Sequence, residues 1–264
     1  MSVPTPSAPA PQDNFLLKEE IRAYWSARAE SFDLSFGHAI KSDRELQAFQ
    51  RLIRGAFGSE PLEVLDLACG TGEITRALLS LDHRVTALDF SEAMIARARA
   101  KHGKAARILL GDAERLLDDD ASYDALITRH LVWTLTDPEG AFAEWFRVLR
   151  PGGRLLVIDG DWVNRSRWQA LVNRFGNWLR DRRGAPVHQI DADTHASITK
   201  RFYFRDGLSR ERLETMLRAA GFGEIAPADY HQVVREQQRA APLHDAIRLA
   251  SSTRFALVAR KPGP

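Results

Sequence analysis

Residues 64–75 read VLDLACGTGEIT, and the fold turns on how that stretch is taken. An apolar run, broken by Asp66, stops at Gly70 and Gly72, and the chain's single cysteine, Cys69, sits where run meets loop. A buried strand that enters a glycine turn and then a helix opens a parallel α/β unit. Gly70 and Gly72 let the backbone turn tightly and let a ligand approach it closely. A dinucleotide loop wants a third glycine three places after the second, and Thr75 holds that place. A phosphate loop wants Gly-Lys-Ser/Thr, yet GTGEIT has no lysine. Glu73 at the helix start would also repel phosphate. Cys69 reads as a small buried residue, since no base stands near it in sequence.

Outward from this stretch the pattern repeats. PLEVLDLA, HRVTALDF, ARILLGD, YDALITRH and RLLVIDGD read as buried strands, separated by the helical segments GEITRALLS, SEAMIARARAK and DPEGAFAEWFRVLR. Strands without polar alternation, joined by helices, predict a parallel sheet covered on both faces: a doubly wound, Rossmann-like α/β core over 59–160. Ser91 has the type and place of a helix N-cap. RPGG at 150–153 reads as a helix stop and turn. Before the core, residues 1–14 form a proline-spaced tail with no secretory signal, and 15–58 carry two helices, 15–34 and 42–57. After it, 161–206 interrupts the alternation as a helical insertion. Residues 207–264 complete the sheet through a helix at 209–220, a strand near 224–229, a last helix near 240–250 and RFALVARK as an edge strand.

Composition narrows the classes. The chain has 264 residues, 44% hydrophobic and 27% charged, with net charge +2, all ordinary for a globular protein. No apolar run reaches membrane-spanning length. The charge is too small to argue for nucleic acid, and one cysteine fits a reducing cytoplasm.

Three acids then describe a ligand. Asp66 ends the first strand, Asp89 the second and Asp112 follows the third. Ligands in open α/β sheets lie beyond the carboxyl ends of the strands, and an acid about 20 residues past the glycines takes ribose hydroxyls. Asp89 stands there, 19 residues after Gly70. Asp66 suits a cationic amino group, and Asp112 beside Ala113 suits an adenine edge. The ligand so described is S-adenosylmethionine. Thr75 and Asp66 disfavour a nicotinamide oxidoreductase, and a non-catalytic donor-binding protein is the other alternative.

With those motifs in hand, residues 62–160 resemble the class I S-adenosylmethionine-dependent methyltransferases, in particular the small-molecule branch with the ubiquinone and menaquinone biosynthesis enzymes. VLDLACGTGEIT, VTALDFSEAMIARARAK, GDAERL, YDALITRHLVWTLTDP and FRVLRPGGRLLVID carry the resemblance, in order. It implies seven strands with the last antiparallel. It implies Asp66, Ala68, Gly70 and Gly72 around the methionine part of the donor, Asp89 on the ribose, and Phe90 and Met94 near the adenine. It implies Asp112 and Ala113 at the adenine edge, Arg129 beside the ligand, and an aromatic of the first helix, Tyr24 or its neighbour Trp25, over the donor.

His130, after the fourth strand, is the candidate base. His188, His195, Tyr203 and His231 are weaker ones, and Asp159 with Asp161 could form a carboxylate pair, although no metal is expected. The acceptor is expected to be a small molecule, anionic or aromatic. Without an Asn/Asp-Pro-Pro-aromatic run after strand four and without a basic tail, nucleic acid is not expected. Monomer and homodimer both remain open. The segment 161–206 carries nine Lys/Arg against five Asp/Glu. Its helix 164–181 aligns Trp168, Leu171, Val172, Phe175, Trp178 and Leu179 on one face, expected to pack over the active site as core or to touch a membrane surface.

Overall fold

A computed structural model describes residues 11–182 and 192–263. Its centre is one seven-stranded sheet in the order β3-β2-β1-β4-β5-β7-β6. The strands are β1 (Glu63–Leu67), β2 (Arg84–Asp89), β3 (Arg107–Leu110), β4 (Tyr123–Arg129), β5 (Leu149–Asp161), β6 (Gly223–Pro227) and β7 (Thr253–Arg260). β1 to β5 pair in parallel, while β7 runs antiparallel to both β5 and β6. Strand order reverses between β1 and β4, so the crevice that binds ligands in such sheets opens there.

The helices are α1 (Pro11–Arg28), α2 (Asp43–Phe57), α3 (Glu73–Leu79), α4 (Glu92–His102), α5 (Pro138–Val148), α6 (Arg167–Arg182), α7 (Ala192–Thr199), α8 (Arg210–Ala219), α9 (His231–Ala240) and α10 (Leu243–Ala250). Their starts are chemically marked. Ser42, Ser91, Asp137 and Ser209 each accept a backbone N–H three residues ahead, and Pro138 follows Asp137 where a missing N–H costs nothing.

The alternation of strand and helix buries both faces of the sheet. One face places Val64, Ala87, Ile127 and Ile158 under Phe49, Ile53, Leu78 and Val233. The other places Leu65, Leu126, Val157 and Leu257 under Phe142, Trp145, Leu213 and Leu217. A third, smaller cluster joins α1 to the segment around α7 through Leu17, Ile21, Ile198 and Phe202, with Trp25, Phe90 and Trp133 against it.

Several expectations change. The first helix stops at Arg28 instead of 34, and a short 3-10 turn, Phe32–Leu34, follows. Tertiary contacts take over there. Phe32 stacks on His38 with centroids 4.3 Å apart, and Asp33 accepts from Thr71 Oγ1 (2.5 Å) and Lys101 Nζ (2.7 Å). The helix also begins earlier, at Pro11, inside the stretch expected as tail; residues 1–10 lie outside the described residues.

RPGG does not separate helix from strand. It is the bulged start of β5, where Tyr123 pairs Leu149 and the register then shifts to Ala125 with Arg154. Gly152, at φ 79°, supplies the left-handed residue of that bulge. The helix expected near 240–250 is α10, and a further helix, α9, precedes it across Ala241 and Pro242. β7 is not the edge strand, because β6 pairs on its far side. Buried Ala256, Leu257 and Ala259 need cover on both flanks, whereas β6, short and mostly exposed with Glu224 and Pro227 in it, tolerates the edge.

The insertion packs differently. Trp168, Leu171, Phe175 and Trp178 are exposed, not core. α6 lies on α10 through the adjoining side, where Gly176 is buried and Val172 and Leu179 are half-buried. A Cβ on Gly176 would stand 3.0 to 3.2 Å from Arg248, His244 and Ile247, so glycine allows that close approach.

Candidate functional site

A cavity of about 370 Å³ opens at the switch point, beyond the carboxyl ends of β1, β2 and β4. That size falls in the range of small-molecule pockets. Its walls come from distant parts of the chain: α1 and the 3-10 turn above, the glycine loop and β2–β4 ends below, and Trp162, Arg165 and Arg254 at the far side.

The loop after β1 is held open by its own chemistry. Ala68 and Gly70 take positive φ, 54° and 55°. The Gly70 N–H donates to Asp89 Oδ2 at 2.9 Å, so the carboxylate that ends β2 braces the loop that follows β1. Asp89 Oδ1 accepts from Ser91 N at 2.8 Å. A carboxylate offers about four lone-pair sites, so acceptor capacity remains for a ligand. Burial pushes the Asp89 carboxyl up to about 6, partly offset by those backbone donors.

Asp66 is buried at the end of β1, where Thr75 donates its hydroxyl to Oδ2 at 2.6 Å. Burial pushes its carboxyl up to about 7, against the opposing pull of Thr75 and of the Arg129 guanidinium. Among the described residues neither Asp66 nor Asp89 forms an ion pair. Two buried carboxylates facing one cavity without cationic partners are a donor set that a cationic, hydroxyl-bearing ligand fits.

Asp112, Ala113, Phe90 and Met94 also line the cavity, as the resemblance implies. Asp112 is engaged by α1: Lys18 Nζ lies 2.6 Å from its Oδ2 and 2.7 Å from Glu114 Oε2. The aromatic residue of α1 on the wall is Trp25, not Tyr24. Tyr24 meets Trp25 edge-on at 5.1 Å and accepts from Arg28 at 2.6 Å. Gly72 is likewise off the wall. At φ 89° it caps α3, and a Cβ there would come within 2.8 Å of His102 on α4.

Arg129 and His130 close the β4 end. Arg129 donates to the His38 carbonyl and spreads over the Phe49 ring. His130 sits at φ 60°, a strained value for a side chain of its size. Its ring stacks on Trp162 with centroids 5.1 Å apart, and its Nε2 has no partner. Burial, then the Arg129 charge, holds His130 well below the usual imidazole range, so the ring is neutral. His38 is held down in the same way, to about 3.

The remaining candidates stay apart. Asp159 and Asp161 do not reach the cavity; they hold the loop after β5. Asp159 accepts from Gly160 N and Trp162 Nε1, and Asp161 from Val163 N and Asn164 N. Tyr203 and His231 are not on the wall. His188 and the His195 side chain lie outside the described residues. Sequence reasoning missed Lys18, Thr75, Glu114, Trp162 and Arg254. Thr75 was visible as a departure from the dinucleotide pattern, whereas Lys18 and Arg254 arrive from the chain's two ends with no local signal.

An open parallel sheet with a glycine loop after β1, acids at three adjacent strand ends and an antiparallel β7 defines an α/β protein that binds a nucleoside at its switch point. Residues 65–157 match the family model described as "Methyltransferase domain". The chain carries a class I S-adenosylmethionine-dependent methyltransferase domain, resembling the ubiquinone and menaquinone biosynthesis enzymes. It is 28% identical over 221 residues to the ubiquinone/menaquinone biosynthesis C-methyltransferase UbiE of Rubrivivax gelatinosus, covering 79% of this chain and 81% of that one. It is 35% identical over 142 residues to the malonyl-[acyl-carrier protein] O-methyltransferase of Hahella chejuensis, covering 53% of this chain and 49% of that one. The chain thus spans about half the length of that second relative. The fold matches the Burkholderia thailandensis 1,6-didemethyltoxoflavin-N1-methyltransferase, solved with bound 1,6-didemethyltoxoflavin and S-adenosylhomocysteine, at TM-score 0.58 and 19% identity, covering 98% and 93% of the two chains. Among the described residues no helix is long and apolar enough to cross a membrane.

Proposed function

We propose that this protein transfers a methyl group from S-adenosylmethionine to an oxygen, nitrogen or carbon of a small-molecule acceptor. The observation that carries the reading is one cavity with two unlike walls. Asp66, Asp89 and Asp112 stand on the β1–β3 side, and His38, His130, Trp162 and Arg254 on the β4–β7 side. In this reading Asp66 takes the donor's amino group, Asp89 its ribose hydroxyls, and Asp112 and Ala113 its adenine edge. Ala68 and Gly70 let the methionine part approach the backbone. Phe90, Met94 and Trp25 pack on the base, and Arg129 takes the methionine carboxylate.

The bound donor supplies an already activated methyl on a sulfonium. The protein's residues therefore have positioning as their main task. Trp25, Phe32 and Trp133 exclude water from above, and the His130–Trp162 stack sets the plane against which an acceptor lies. Such positioning supplies roughly 7–11 kcal/mol of barrier lowering. Neutral His130 accepts or donates one hydrogen bond to the acceptor and orients it. Its depressed basicity suits orientation better than proton storage. α1 and α7, with Phe202 after it, act as the cover through which both ligands enter, and we place the reaction in the cytoplasm.

Asp89→Ala tests the reading. It is expected to weaken S-adenosylhomocysteine binding in calorimetry by at least tenfold and to remove label transfer from methyl-labelled donor to a metabolite extract. Unchanged affinity in the variant would remove Asp89 from the ribose and the reading with it.

A further inference from the structure

The β4–β7 wall carries positive charge that the donor does not use. Arg254 opens β7, paired with Gly160 at the end of β5. It spends Nη1 on Gln237 Oε1 at 2.9 Å and lies over the Trp162 ring at 5.5 Å. Its buried Nε has no hydrogen-bond partner among the described residues, and the Tyr230 hydroxyl stands near the guanidinium. Arg254 forms no ion pair among the described residues. Glu45 is the carboxylate near enough to be felt, and the second guanidinium, Arg129, opposes it. Arg165, at the cavity rim, is exposed and also unpaired among the described residues. A desolvated guanidinium without countercharge is costly unless a ligand supplies the charge.

The donor's own carboxylate is not that charge. Asp66 lies on β1 and Arg254 on β7, three strand spacings away, or about 14 Å at 4.7–4.9 Å each. An amino acid's ammonium and carboxylate share one carbon, so a donor anchored at Asp66 offers its carboxylate to Arg129 on neighbouring β4, not to Arg254. Beside Arg254 on the same wall lie flat surfaces, the stacked His130 and Trp162 rings.

We infer that the acceptor is an aromatic acid, its ring laid along His130 and Trp162 and its carboxylate or phosphate received by Arg254 with Arg165 at the rim. This assignment rests on the methyl-donor reading of the β1–β3 wall. A guanidinium receives either oxyanion through paired N–H donors. The ring then orients a neighbouring hydroxyl, amine or carbon toward the donor half.

The test uses the full chain saturated with S-adenosylhomocysteine, titrated with benzoate, salicylate and phenyl phosphate against benzamide, salicylamide and phenol. Quenching of tryptophan fluorescence, with calorimetry as the check, reads binding. At least one acid is expected to bind tenfold or more tightly than its neutral counterpart. Arg254→Gln is expected to abolish that preference while S-adenosylhomocysteine affinity stays within twofold. The carboxylates and phenyl phosphate are separate arms, so the preferred acid names the oxyanion. If no acid in the panel outbinds its neutral counterpart, the inference is overturned. It is overturned too if Arg254→Gln weakens S-adenosylhomocysteine tenfold, since the arginine then serves the donor. Failure of S-adenosylhomocysteine to bind the unaltered chain overturns the donor reading instead. The wild-type comparison of acid with amide stands even if the variant fails to fold.

Discussion

Asp66 shows what one buried carboxylate costs a protein that keeps it for a ligand. Burial raises its carboxyl to about 7, against about 3.9 in an unfolded chain. A carboxyl raised on folding stabilises only while protonated: the contribution is complete below about pH 4 and is lost as pH rises through 7. At pH 8 the ionised, unpaired group costs on the order of 4 kcal/mol. Asp66→Asn keeps the shape, and Thr75 can then accept where it now donates. The variant is expected to melt several degrees higher than the parent at pH 8 and alongside it near pH 4, read by calorimetric scans. It is also expected to bind S-adenosylhomocysteine at least tenfold more weakly at pH 8. In the parent, donor affinity should rise between pH 6 and 8 as a cationic ligand draws Asp66 into its ionised form. A pH-independent affinity would remove the ammonium from Asp66. The acids were legible in the sequence because strand ends and glycines mark their own positions. Thr75 was legible only as a missing glycine, because its hydroxyl's purpose is set by a side chain nine residues earlier.

Elements were read well where one pattern permits one answer. The β1–α3–β2–α4–β3 run came out in place because continuous apolar strands need cover on both faces and Ser91 marks the α4 start. α6 was found as a helix but turned the wrong way. Its aromatic stripe was the stronger periodic signal, yet the side that packs on α10 is the one with Gly176, where the absence of a side chain lets the helix backbone approach. Hydrophobic periodicity cannot weigh close backbone approach against area. Two truncations separate the faces. Trp145 is fully buried in α5 and donates its indole N–H to the Ala113 carbonyl at 2.7 Å. Trp145→Ala is expected to cost about 3–5 kcal/mol in denaturant unfolding. Phe175→Ala, at 52% exposure, is expected to cost about 0.5 kcal/mol or less. A loss at Phe175 approaching that at Trp145 would mean the stripe is covered in solution.

At the scale of the whole molecule, stability is unevenly shared, and the uneven part lies over the cavity. Two large clusters hold the sheet faces, while the cover depends on Leu17, Ile21, Ile198 and Phe202 and on the bridge from Lys18 to Asp112 and Glu114. Small clusters open at lower free energy than the core they sit on. Amides of α1 are therefore expected to exchange with deuterium well before those of β1 and β4 in the free protein. A donor lying between Trp25 and the glycine loop ties cover to core, and binding that orders a segment slows its opening in proportion to occupancy. S-adenosylhomocysteine at about 100 times its dissociation constant should slow α1 exchange on the order of 100-fold, and β4, already limited by global opening, by no more than the same factor. Lys18→Met removes the ion pairs without removing the apolar contacts. It should speed α1 exchange in the free protein and leave β1 and β4 unchanged. Protection of β1 and β4 without protection of α1 would mean that the donor binds beneath a cover that stays open, and the enclosure argued for the acceptor would then have to come from the segment after β5 alone.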